Sequence, residues 1–169
     1  DTLATGYTLA MAAKKLGGAD LLIFGNRAAD AETAQTGPVT AGFLGLPLVT
    51  SVSELSVEDG WGGCTREFAL GVEKCRVRLP AVITVKPELN TPRFQTPANV
   101  IAGLKKPLKV WDSAALGSDS SKTGVCGSPS RTKRVVAPPA RSMDTEVIGG
   151  SNEEMAGALA ALLAGEHLI

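Results

Sequence analysis

The sequence predicts an α/β fold with a mainly parallel sheet. Helix and strand patterns alternate early, the first strand is apolar along its whole length, and a hairpin pattern appears only afterwards. Residues 2–16, TLATGYTLAMAAKKL, repeat apolar positions at helical spacing, with Asp1 placed as an N-cap and Gly17-Gly18 as a stop. The chain thus opens inside a helix, with no initiator methionine and no preceding strand, so the start of the fold is expected to be missing. Residues 20–25, DLLIFG, form a short apolar run between turn residues, as expected of a strand buried on both faces of a parallel sheet. Residues 35–45 read as a helix despite Gly37 and Pro38, because proline is tolerated in a first turn, and residues 47–55, PLVTSVSEL, as the next strand.

From there the pattern becomes antiparallel. TREFAL and EKCRVRL alternate around Gly71, read as the tight turn, and feed the buried strand AVITVK at residues 81–86. Residues 87–107 are loop-rich, with four prolines around a short helix at 98–104, and PLKVWD at residues 107–112 reads as a further short strand. Residues 113–139 are rich in Ser, Gly and Pro and are expected to run over the surface or along a partner. An Ala/Leu helix over 152–163 closes the chain, capped by Ser151 and carrying Glu153 and Glu154 in its first turn. Two parts follow: a partial α/β domain over residues 1–112 and an extended C-terminal arm over 113–169.

Composition excludes several functions. At 169 residues, with 44% hydrophobic and 20% charged content, the chain has enough apolar material for a core. No apolar run reaches the roughly 18–20 residues that cross a bilayer, so no membrane insertion is expected and a cytoplasmic or mitochondrial-matrix setting is the default. Cys64, Cys75 and Cys126 fit neither a disulfide framework nor a CxxC site and are read as free thiols. The zero net charge hides an asymmetry: residues 86–141 carry 10 Lys/Arg against 3 Asp/Glu, while residues 142–169 carry none against 5. Nucleic-acid binding is not expected of the basic segment, whose only aromatics are Phe94 and Trp111 and which has no stacking or recognition motif. The single histidine, His167, lies at the extreme C-terminus, and Glu67 and Glu73 flank the hairpin as a solvated pair, so catalytic equipment is nearly absent.

The loop after the first strand draws the functional reading. Gly25, Asn26, Arg27, Ala28, Ala29, Asp30, Ala31, Glu32, Thr33, Ala34, Gln35 and Thr36 link a strand end to a helix start. Unpaired N–H groups and partial positive charge at a helix N-terminus favour phosphate, and acids beside such sites accept hydrogen bonds from ribose hydroxyls. Equally, Asp30 or Thr33 could simply cap the helix. Neither a P-loop lysine nor GxGxxG is present, and residue chemistry alone leaves both readings open.

Three motifs in order resolve the choice by resemblance. ADLLIFGNRAADAETAQTGPVTAGFLGLP resembles the nucleotide-binding stretch of electron transfer flavoprotein beta subunits, which runs strand, G-x-Q-A-x-D, a short acidic link, Q-x-G and helix. REFALGVEKCRVRLPAVITV is similar to that family's R-E-x-D-G-G-x-E…L-P-A-V-x-T signature, with Ala69 and Leu70 in place of Asp-Gly. LNTPRFQTPANVIAGLKKPLKV is similar to its N-x-P-R-[YF]…N-I-x-x-A-x-K-K segment, with Pro97-Ala98 in place of Leu-Pro. The resemblance implies a Rossmann-like sheet of the adenine nucleotide alpha hydrolase type, lacking its N-terminal βα units. It implies adenylate contacts from residues 25–36, to AMP or to a second FAD. GVCGSPSRTKRVVAPP, residues 124–139, resembles a run of the nitrogen-fixation-linked and electron-bifurcating branch and favours FAD. Further implied are an alpha subunit that holds the main FAD, dehydrogenases such as acyl-CoA dehydrogenases docking at residues 91–107, a C-terminal arm around the alpha subunit, and a role as electron carrier without catalysis of its own. A stand-alone adenine nucleotide binder of the universal-stress type is the alternative, but its late G-x-x-G…G-[ST] phosphate loop is missing; a scaffold without cofactor is a third.

Overall fold

A computed structural model describes residues 1–140 and 145–169 in two compact units, residues 1–132 and 133–169. Arg141 and Asp144, counted in the basic and acidic segments above, lie outside the described residues. The first unit is built on a five-stranded sheet of order β1-β5-β2-β3-β4, made from β1 (Leu21–Gly25), β2 (Leu48–Glu58), β3 (Trp61–Phe68), β4 (Gly71–Arg78) and β5 (Ala81–Val85). β5 runs parallel to both β1 and β2, while β3 and β4 extend the sheet antiparallel from β2. The α/β reading with a parallel core and an appended hairpin therefore holds.

Helices cover one face. α1 (Thr2–Lys15) starts where Asp1 accepts hydrogen bonds from the N–H groups of Leu3 and Ala4, as the capping pattern predicts. α2 (Thr36–Leu44) ends in the left-handed Gly45 and packs between α1 and the sheet. Small residues allow close approach here: a Cβ on Gly6 would meet Val39 Cγ1 at 2.5 Å, and one on Gly37 would meet Thr84 Cγ2 at 2.7 Å. Tyr7 and Phe43 seal the α1/α2 contact edge to face, ring centroids 5.3 Å apart. On the other sheet face Val49, Val52, Cys64, Val77, Ala81 and Ile83 form the core, with Leu21, Leu55 and Cys75 packed around it. β5 sits at its centre, Ala81, Val82 and Ile83 being fully buried, as the unbroken apolar run requires.

The antiparallel part departs from the sequence reading in three ways. β2 extends to Glu58 and turns through Asp59-Gly60, both at positive φ (50° and 75°), straight into β3 at Trp61. Asp-Gly is a strong signal for this type of two-residue hairpin; the reading passed over it because Gly62-Gly63 interrupt the alternation that would have marked the new strand. The next turn is Ala69-Leu70, and Gly71 is instead the first residue of β4, paired with Phe68 at φ 146°, a conformation that side chains rarely adopt. Residues 107–112 form no strand: Leu108 and Val110 are more than four-fifths exposed, and Trp111 rests under Lys15 Nζ, 5.7 Å from the ring centroid. β-propensity without a neighbour to pair with does not make a strand.

α3 (Pro97–Leu104) forms where expected, its first turn capped by the Thr96 hydroxyl. α4 (Ser113–Leu116) and a single 3-10 turn at Ser120–Lys122 follow. In the second unit α5 (Asn152–Gly165) opens on a full capping box between Ser151 and Glu154. No helix is long and apolar enough to cross a membrane among the described residues.

Candidate functional site

Where the parallel strands end, the sequence switches from apolar to polar, and an open cleft of about 230 Å³ forms. Phe24, Gly25, Asn26, Arg27 and Ala28 line it from β1, and Thr33, Ala34, Gln35 and Thr36 from the start of α2. Of the twelve loop residues singled out, eight thus face one cleft; Ala29, Asp30, Ala31 and Glu32 make the exposed outer part of the loop. The site lies at the carboxyl ends of β1 and β5, the usual place for ligands of open parallel sheets.

Asn26 anchors the loop. Its backbone N–H donates to the Val85 carbonyl at 3.0 Å, continuing the β1–β5 ladder by one residue. Its side-chain Oδ1 accepts from Ser51 Oγ at 3.1 Å and from Thr84 Oγ1 at 3.2 Å. Thr84 Oγ1 in turn accepts the Ser51 N–H at 3.0 Å. Ser51 reaches this position because β2 changes register there, with Ser51 itself at φ 58°. Asn26 Nδ2 has no hydrogen bond among the described residues, so the network fixes the amide and leaves its donor end available. Sequence reasoning missed Ser51 and Thr84; the available signal was a hydroxyl within each buried strand, since a buried polar group needs a partner.

The N-terminus of α2 is the second element. The N-cap is Gln35, and its side chain makes no capping bond; Gln35 Oε1 instead accepts from Thr2 Oγ1 at 3.2 Å. Neither Asp30 nor Thr33 caps the helix, so the capping role open to them in the sequence is not the one they play. With Pro38 lacking an N–H, the free donors at this end are those of Thr36 and Gly37. Glu32 and Ala34 take positive φ (51° and 55°), and the Glu32 N–H returns to the Ala28 carbonyl at 3.0 Å, so the outer loop is a closed turn. Arg27 Nη1 pairs with Glu32 Oε1 at 2.9 Å on the surface, partly neutralising the loop's acids. Such a set has an N–H donor and helix dipole for a phosphate and an oriented amide for a base or sugar, with the loop's carboxylates outside the cleft.

Other expected features fall elsewhere. Glu73 is ion-paired with Arg66, and Glu67 Oε2 with Lys86 Nζ at 2.6 Å, so both carboxylates belong to the hairpin's surface pairing. Within the first unit the 124–130 run lies against α1: Ser130 donates its N–H and hydroxyl to Asp1 Oδ2 at 3.3 and 2.9 Å. Asp1 adjoins Thr2, which touches Gln35, so the run ends beside the cleft's helix side. No group of three or more metal-ligating side chains occurs among the described residues.

Comparison with known proteins gives the family. A family model described as Electron transfer flavoprotein domain matches residues 1–116. The chain is 33% identical over 169 residues to the caffeyl-CoA reductase-Etf complex subunit CarD of Acetobacterium woodii, covering 100% of this chain and 64% of that protein. It is 35% identical over 148 residues to the electron transfer flavoprotein subunit beta of Megasphaera elsdenii, covering 84% and 55%. With protein FixA of Azorhizobium caulinodans the identity is 36% over 169 residues, covering 95% and 60%. The chain spans between 55% and 64% of the length of these relatives.

Proposed function

Because the chain belongs to the electron transfer flavoprotein family, in its beta-subunit group, we propose that it is a beta-type subunit whose cleft at residues 25–36 holds the adenylate of AMP or of a second FAD. The uncapped N-terminus of α2 carries this reading, since Gln35 and Thr36 at that end line the cleft beside the fixed amide of Asn26 and no side chain caps the helix. In this role the α2 N-terminus and the Thr36 hydroxyl bind phosphate, Asn26 orients the base or sugar, and Asp30 or Glu32 accepts from ribose hydroxyls. The position of the 124–130 run beside Asp1 supports the longer ligand, FAD, whose diphosphate needs a second wall.

The flavin supplies the redox chemistry, and the protein supplies binding, orientation and electrostatics. On this reading the subunit is an electron carrier and not a stand-alone catalyst. It works with an FAD-holding alpha subunit between dehydrogenases and the respiratory chain or another acceptor, in the cytoplasm or the mitochondrial matrix. Residues 91–107, where Phe94 is 99% exposed and α3 buries none of its side chains within the chain, are the dehydrogenase-docking surface. The arm over 113–169 wraps the alpha subunit.

The test is a titration of the complete complex with AMP and with FAD. Gln35→Ala with Thr36→Ala is expected to weaken nucleotide binding about tenfold or more, since a hydrogen bond to a charged group contributes about 1.5–3 kcal/mol. Both residues lie at the surface end of α2, so far-UV circular dichroism should be unchanged. Unaltered affinity would move the site elsewhere. The mass of the nucleotide released on denaturing the complex decides between AMP and FAD.

A further inference from the structure

Cys64 and Cys75 are eleven residues apart in sequence but are direct cross-strand partners in the β3–β4 ladder. Partners in a ladder project to the same face, and both pack in the same apolar cluster. Cys64 is buried at 4% exposure, whereas Cys75 is half-buried and is the member open to solvent. Burial, and then the neighbouring Cys75, push the Cys64 thiol up. Facing Cα atoms in an antiparallel ladder sit roughly 4.5–5.5 Å apart, within the roughly 4.4–6.8 Å that a disulfide spans. Facing Cβ atoms at roughly 4.5–5.5 Å must close to about 3.8 Å, so the bond forms with local closure of the strands and is readily reduced again.

We propose that Cys64 and Cys75 form a reversible redox-modification site, a cross-strand dithiol that peroxide converts into a disulfide between β3 and β4. Cys75, the accessible member, takes an oxygen from hydrogen peroxide as its thiolate, becoming a sulfenic acid and releasing hydroxide. The Cys64 sulfur attacks the Cys75 sulfur; the S–S bond forms, and the sulfenic oxygen leaves as water with the Cys64 proton. Two thiols lose two electrons in total, and one peroxide is reduced to two waters. Cys126, exposed and remote from the pair in the fold, is the internal control for nonspecific oxidation.

The experiment treats the intact protein with hydrogen peroxide, quenches in acid, unfolds and alkylates the remaining thiols, and counts labels by mass with and without a later reduction step. Cys64 and Cys75 are expected to lose their labels together, with a mass loss of two hydrogens, and to regain both on reduction while Cys126 behaves independently. Cys75→Ser should leave Cys64 fully labelled after peroxide. In Cys64→Ser, Cys75 should accumulate as a sulfenic acid that dimedone captures. Retention of both labels, gain of two oxygens on Cys75 with Cys64 still labelled, or a bond from either to Cys126 would each overturn the proposal. The label count on the unmutated protein decides the matter even if a variant fails to fold.

Discussion

Thr84 links the core to the cleft at the scale of a single residue. Its methyl packs where a Cβ on Gly37 would intrude, while its hydroxyl serves Ser51 and Asn26 together. Thr84→Val keeps the shape but leaves the Ser51 N–H without its acceptor and Asn26 with one donor fewer. A buried donor left unsatisfied costs about 1–3 kcal/mol, and urea denaturation of the variant should show a loss of that size. Thr84→Ser should recover most of it, because the hydroxyl returns. An equally stable valine variant would mean that water replaces the hydroxyl and that the network does not hold the loop. None of this was legible in the sequence. Asn26, Ser51 and Thr84 are separated by 25 to 58 positions, and only the parallel pairing of β1, β5 and β2 brings them together. The loop itself was legible, since a strand end running into a helix start locates it, but its uncapped helix was not. Cys64 and Cys75 stood between these cases: their opposition follows once the turn is placed at Ala69-Leu70 and not at Gly71.

Among the elements, those with local causes were read correctly. α1 declares itself by Asp1 and its glycine stop, α3 by Thr96 and Pro97, and α5 by Ser151 and Glu154. The strand expected at residues 107–112 does not form, because a strand depends on a neighbour that can lie anywhere in the chain. α5 also yields a pH prediction. The Ser151 backbone N–H, then its hydroxyl, hold the Glu154 carboxyl below its ordinary value. A carboxyl lowered in the folded state contributes stability that is present above its unfolded pKa, about 4.3, and is lost as pH falls through the folded value. A peptide of residues 146–169 should therefore lose helical circular dichroism as the solution is acidified below about pH 4. Glu154→Gln should show a smaller change; an identical pH profile would assign the response to the other acids. By contrast, Lys86→Ala should cost about 1 kcal/mol or less, because its pair with Glu67 is still open to solvent on the Glu67 side, at 49% exposure.

At the scale of the whole molecule, large apolar side chains stand open in the first unit: Leu70, Phe94, Leu104, Leu108 and Val110 are each more than four-fifths exposed. A heterodimeric subunit would cover such surface with its partner. Hydrogen exchange should therefore slow in the arm when the alpha subunit is added and in residues 91–107 when a partner dehydrogenase is added, while the centre of β5 stays unchanged. Unchanged exchange in both regions would argue against their assignment as contact surfaces. The central place of β5 has a further consequence, in time. Its partners β1 and β2 both precede it in the chain, and the intervening β3–β4 hairpin can close on its own as soon as it is made. Synthesis proceeds at roughly 5–20 residues per second. On the ribosome, β2 therefore pairs with the β3–β4 hairpin first, while β1 waits several seconds, apolar and unpaired, until β5 emerges and joins it to β2. The cleft comes into being only at that moment, so a chain arrested before residue 81 would present every residue of the loop and no cleft.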